Sequence, residues 1–139
     1  MPITYENVIY DRVIDSLHSI IANEFNIPIC YDEHKDNQSF LIVPDNDENL
    51  DTLAGGQVRV VRVDISYELN SAGDYTKNSV KQVTEVVERL KRLLHNNKTY
   101  SVSGTNKFRN GIIQNIKYER EDSFSRGITT FSCQTMELI

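Results

Sequence analysis

The sharpest pattern in the chain is a period of two. Val61, Val63, Ile65, Tyr67 and Leu69 alternate with Arg62, Asp64, Ser66 and Glu68, which predicts a strand with one buried face. Val58 and Val60 fall on the opposite phase, so either both faces are covered at that end or a bulge resets the register. After a predicted turn over Asn70 to Asp74, the period changes. Val80, Val83, Val87, Leu90 and Leu94 step by three and four, and Val86 and Leu93 widen the stripe, predicting an amphipathic helix. Thr76 or Ser79 can cap it, and Ser79 with Gln82 has the capping-box form. Its polar face offers the four-residue pairs Glu85 with Arg89 and Glu88 with Arg92, and basic residues gather in the last turns, as the helix dipole prefers. The stretch from Arg59 to Leu94 is therefore expected to form the core of the fold.

The remaining elements follow from weaker signals. Ile9, Val13, Leu17, Ile20, Ile21 and Phe25 mark a first amphipathic helix over Tyr5 to Phe25, ended by Asn26 and Ile27-Pro28. Pro28 to Tyr31 and Phe40 to Val43 read as two paired strands with a polar turn between them. From Pro44 to Gly56 the run PDNDENLDTLAGG is rich in turn formers and almost without period, which predicts a long exposed loop. Thr99 to Ser103, Ile112 to Tyr118 and Ile128 to Leu138 read as strands, with Gly104 to Gly111 and Glu119 to Gly127 as turns. The order helix, strands, helix, strands predicts one α+β domain spanning residues 1–139. Its sheet is mixed and largely antiparallel, of about five to six strands, with two helices packed on it.

Composition leaves this picture in place. The chain has 139 residues, 39% hydrophobic and 25% charged, which suits one packed core and is too apolar for disorder. There is no apolar run of the ~20 residues that span a bilayer and no leader pattern at the start, so a cytosolic chain is expected. Cys30 and Cys133 are then buried thiols rather than a disulfide. Charge does change the picture. Residues 1–70 carry 4 Lys and Arg against 13 Asp and Glu, a net −9, while residues 71–139 carry 11 against 7, a net +4. Such a division suits head-to-tail association, in which two different patches of one molecule meet, or is simply scattered surface charge.

Candidate chemistry is sparse. His34 stands beside Asp32 and Glu33 with Cys30 four residues before it, but the chain holds no second ligand cluster for a metal. Asp45, Asp47 and Asn49 begin like a calcium loop. The sixth position is then Leu50 where glycine is required, and the twelfth is Gly56 where glutamate is required. Gly55-Gly56 precedes a strand, with no Lys-Ser/Thr after it, and so is not a phosphate loop. Lys98, Lys107, Arg109, Lys117, Arg120 and Arg126, interleaved with Tyr100, Phe108 and Tyr118, form a pattern that nucleic acid can use. An overall pI near 5.2 argues against it. No GxSxG, HExxH or CxxC occurs, and neither a catalytic centre nor a cofactor is predicted.

The order of elements resembles a known family. A leading amphipathic helix precedes Ile27-Pro28-Ile29-Cys30-Tyr31-Asp32-Glu33 and Gln38-Ser39-Phe40-Leu41-Ile42-Val43-Pro44. A long strand ending Ile65-Ser66-Tyr67, a helix of form Val-x2-Val-x3-Leu-x2-Leu, and Gly111-Ile112-Ile113 leading to Ile116-Lys117-Tyr118 follow. This is similar to the tail terminator, or tail completion, proteins of long-tailed bacteriophages. The likeness runs through nearly the whole chain in pattern and element order, without a catalytic motif. It implies a structural virion protein, assembled in the host cytoplasm, that forms a ring, typically a hexamer, at the head-proximal end of the tail tube. The ring would stop tube growth and offer the head connector a docking surface, its partners being itself, the tube protein and the connector, with DNA passing through the lumen unbound. In that setting the acidic segment with Asp45, Asp47, Glu48 and Asp51 is expected to reach a neighbouring subunit or the lumen. Lys107, Arg109, Lys117, Arg120 and Arg126 are expected to form a basic contact surface. A head-completion or neck adaptor protein, and from another class a small nucleic-acid-binding module, are the alternative readings.

Overall fold

A computed structural model describes residues 2–70, 77–121 and 123–138. Among them lie six strands and two helical segments. A π-helical turn over Ile9–Ile14 runs directly into α1, Asp15–Glu24. The strands are β1 (Ile29–Cys30), β2 (Gln38–Leu53), β3 (Gly56–Asn70), β4 (Tyr100–Val102), β5 (Thr105–Glu121) and β6 (Phe124–Leu138), with α2, Lys77–Asn96, between β3 and β4. They form one mixed sheet in the order β1-β2-β3-β6-β5-β4, curled into a half-barrel. The expected α+β class is thus observed, with strands dominating.

Both helices pack on one face. The alternation in β3 does what its period dictates: Val61, Val63, Ile65 and Tyr67 are buried against Phe40 and Ile42 of β2, Phe131 and Cys133 of β6, and the apolar stripes of the helices. From α2, the positions Val83, Val87, Leu90 and Leu94 enter this core, as do Leu17, Ile20 and Ile21 of α1. Gly127 lets α2 approach closely, since a Cβ there would meet Val87 Cγ2 at 2.5 Å. The first helix begins later than Tyr5: Pro2 to Asn7 are exposed and outside regular structure. Ser79 lies inside α2 rather than at its cap, and Thr76 lies outside the described residues. The helix-face pairs also differ. Arg89 leaves Glu85 and spans to α1, donating to Glu24 Oε1 at 2.9 Å and stacking on Phe25 at 4.5 Å.

Three expectations are corrected. Pro28–Tyr31 and Phe40–Val43 do pair, but in parallel (Ile29 with Phe40, Cys30 with Leu41), so the polar segment between them is a crossing and not a hairpin turn. Pro44 to Gly56 is not a loop: β2 continues to Leu53 and returns as β3 through Ala54 and Gly55. Turn-forming residues stay in this strand because two register shifts, Pro44/Asn46 and Asn49/Asp51, absorb the irregular pattern. Those shifts lie between β2 and β3, whereas β3 runs against β6 without a break from Gly56 to Asn70. The phase change at Val58 and Val60 is therefore not a bulge between β3 and β6. Likewise Gly104–Gly111 and Glu119–Gly127 are mostly strand: β5 starts at Thr105, and β5 and β6 face each other up to Glu121 and Phe124.

Candidate functional site

Among the described residues no helix covers the other face of the sheet. Its side chains come from the polar phase of the strands, and they are bound to one another across the ladder. Arg126 of β6 donates to Glu68 of β3 at 2.6 Å and to Glu119 of β5 at 3.4 Å, and lies over the Phe124 ring. Asp64 accepts from Thr130 at 2.8 Å. Arg62 reaches Gln114 at 2.9 Å and Glu48 at 3.3 Å. Beside them His34 joins the crossing segment to the sheet, with Nδ1 2.7 Å from Ser39 Oγ and Nε2 2.9 Å from Ser66 Oγ. Burial holds the His34 imidazole below its ordinary pKa, with Glu68 opposing and Arg126 adding to the shift. Two serines on one imidazole resemble a nucleophile with its base. The second serine supplies no carboxylate to orient the ring, and the β3 and β6 backbone donors are taken by the ladder. Among the described residues, no group of three or more His, Cys, Asp or Glu is placed to hold a metal.

The hairpin of β2 and β3 is the second feature. From Val43 to Gly55 every residue is exposed, so the outer half of β2 forms an arm along the sheet edge, while the β3 half beneath it pairs with β6 and buries Val58. Its acidic residues divide into two kinds. Asp47 holds Arg59, which also reaches Glu137 of β6 at 3.1 Å, so one guanidinium ties three strands midway along the arm. The Asp47 carboxylate raises the Arg59 pKa by that bond. Glu48 pairs with Arg62. Asp45 and Asp51 make no ion pair among the described residues and face solvent with Leu50 and Leu53. Two of the four predicted acidic contacts therefore stabilise the arm itself.

The predicted basic surface is split as well. Lys107 and Arg109 sit near the start of β5; Lys117 and Arg120 lie near its end, and Arg126 near the start of β6. Thirteen residues of strand separate Lys107 from Arg120, about 40 Å along a strand of ordinary rise. Lys117 is paired with Glu119 at 3.3 Å and Arg126 is committed as above. The pattern of basic and aromatic residues therefore does not fold into one patch.

A cleft that the sequence did not reveal lies between the end of α2 and β5. Its volume is about 500 Å³, and Lys91, Arg92, His95 and Lys98, with one acid, Glu88, rim a floor of Leu94, Ile112, Ile113 and Phe131. A bulge builds it. Asn110 takes φ 53°, the register shifts between Arg109 and Ile112, and the Gly111 N–H donates to Lys98 O at 2.9 Å. Gly111 is needed there, since a Cβ would meet Phe131 Cζ at 2.6 Å. The kink leaves Ile112 54% exposed beside the helix end. None of the four basic side chains makes an ion pair among the described residues. The spacing of Lys91, Arg92, His95 and Lys98 was readable as a basic helix end, but its juxtaposition with Ile112 depends on a bulge that no local signal announces.

No protein-family model and no curated protein matches the chain.

Proposed function

We propose that the chain is a ring-forming structural protein of a bacteriophage tail, which ends tube polymerisation at the head-proximal side and presents a docking surface to the connector. The arm carries this reading. The outer half of β2, exposed from Val43 to Leu53 and paired on one edge only, with β3, leaves its other edge and its apolar tips open and is suited to contact a neighbour. Other features agree with it. The sheet has two lateral edges that β1 and β4 cover only in part, and opposite charges lie at different places on the body, as a heterologous ring contact requires. On this reading the mechanism is refusal. One face of the ring copies a tube subunit and binds the last tube ring, and the other lacks the surface on which a further tube subunit would add.

The experiment is tube assembly in the presence of the purified chain, followed by negative-stain imaging. Tubes capped at one end by an additional ring, with a shortened length distribution, support the proposal. Tubes of unchanged length without a cap, together with a chain that stays monomeric, overturn it. Salt-dependent binding to duplex DNA without tube binding would favour the nucleic-acid module instead.

A further inference from the structure

Two surfaces of this chain are each incomplete, and they complement one another. The arm ends in Leu50 and Leu53, 56% and 44% exposed, with the unpaired carboxylate of Asp51 between them and that of Asp45 at the root. The register shift between Asn49 and Asp51 leaves Leu50 opposite no residue of β3, so it stands out from the ladder. The cleft offers the converse: an apolar floor at Ile112 with a rim on which Lys91, Arg92, His95 and Lys98 outweigh the one acid, Glu88. Its volume of about 500 Å³ is in the range that accepts a few side chains. Apolar tips bring hydrophobic burial, and the charges around them set register and orientation.

The two surfaces cannot meet within one molecule. Ile112 faces Ser132 of β6, which faces Arg62 of β3, which faces Asn46 at the root of the arm. Cleft and arm thus lie on opposite lateral edges, about three strand spacings or ~14 Å apart at the root, and the arm then runs away along the strand axis for another seven residues, roughly 23 Å. We infer that the arm tip of one copy seats in the α2–β5 cleft of the next. The contact is heterologous, so each subunit uses its arm on one side and its cleft on the other, and repetition gives a closed ring or an open helix according to the rotation per step. The inference rests on the ring reading and names the surfaces through which the ring would close.

Crosslinking tests it. Leu53→Cys and Ile112→Cys are made separately in a Cys30→Ser background and mixed under mild oxidation. Cys133 is buried, with its thiol pushed up to about 12, and does not compete. A covalent dimer in the mixture, absent from either variant alone, is the expected result. Independently, Lys91→Glu with Arg92→Glu weakens self-association at least tenfold, and adding a copy with Asp45→Lys and Asp51→Lys restores it. If the unmodified chain forms a ring but neither the crosslink nor the charge effect appears, the inference is overturned while the ring reading stands. A chain that remains monomeric at all concentrations overturns both.

Discussion

The platform and the arm are built from the same strands and obey different rules. In the platform, β2 and β3 carry Phe40, Ile42, Val63, Ile65 and Tyr67 beneath two helices, and nearly every apolar residue there has a partner in its own chain. A few residues further along, β3 still pairs with β6 and buries Val58, but the outer half of β2 is uncovered, and the residues facing out are Asp45, Leu50, Asp51 and Leu53. Ladder hydrogen bonds and the ion pairs of Arg59 and Arg62 extend the sheet through the arm, while hydrophobic burial fixes the platform. Burial within the subunit accounts for the second; on the proposed ring reading a neighbouring subunit completes the first.

That contrast can be broken at several points. The largest effect belongs to the platform: Leu90→Ala removes a fully buried side chain between α2 and β3 and is expected to cost about 2–5 kcal/mol, read as a lowered midpoint in urea denaturation. Gly127→Ala comes next. The added methyl collides with Val87 and forces α2 off the sheet, for an expected ~1–3 kcal/mol and a lower melting temperature. At the border of the two regions, His34 makes stability depend on pH. Its folded pKa lies below the ordinary 6.5, so between the two values the unfolded chain binds the additional proton, and stability falls as pH drops through about 6.5 toward the folded value. A pH series of melting temperatures should show this loss in the unmodified chain and a smaller one in His34→Gln. In the arm, Asp47→Asn frees one side of Arg59 and is expected to cost about 1 kcal/mol or less. The change would appear as faster hydrogen exchange at Arg59 to Val61, with the platform amides unaffected.

What could be read from the residues follows the same division. The strand at Val61 to Leu69 and the helix at Val80 to Leu94 were legible because burial imprints a period on the sequence, two for the strand and near 3.6 for the helix. The arm left no such imprint. Exposed on both faces, residues 45–54 had no reason to alternate, and their turn-forming composition predicted a loop where register shifts keep a strand. The parallel pairing of β1 was hidden for a related reason, since two residues carry no direction. Of the candidate contacts, the acidic set lies in a strand rather than the expected loop, and which members are free was not readable, because Asp47 and Glu48 are engaged by Arg59 and Arg62 from the facing strand. The basic set was grouped by proximity in sequence, whereas the cleft gathers Lys91 and His95 from a helix with Ile112 from a bulged strand.

The central claim is that the arm serves assembly rather than the stability of its own subunit. Sedimentation velocity on the unmodified chain and on Leu50→Ser with Leu53→Ser, paired with a melting curve for each, tests it directly. The account predicts a closed ring for the unmodified chain, a smaller species for the variant, and the same melting temperature for both subunits once dissociated. A variant that assembles as fully as the unmodified chain, or one that loses assembly only because its subunit unfolds, would contradict it.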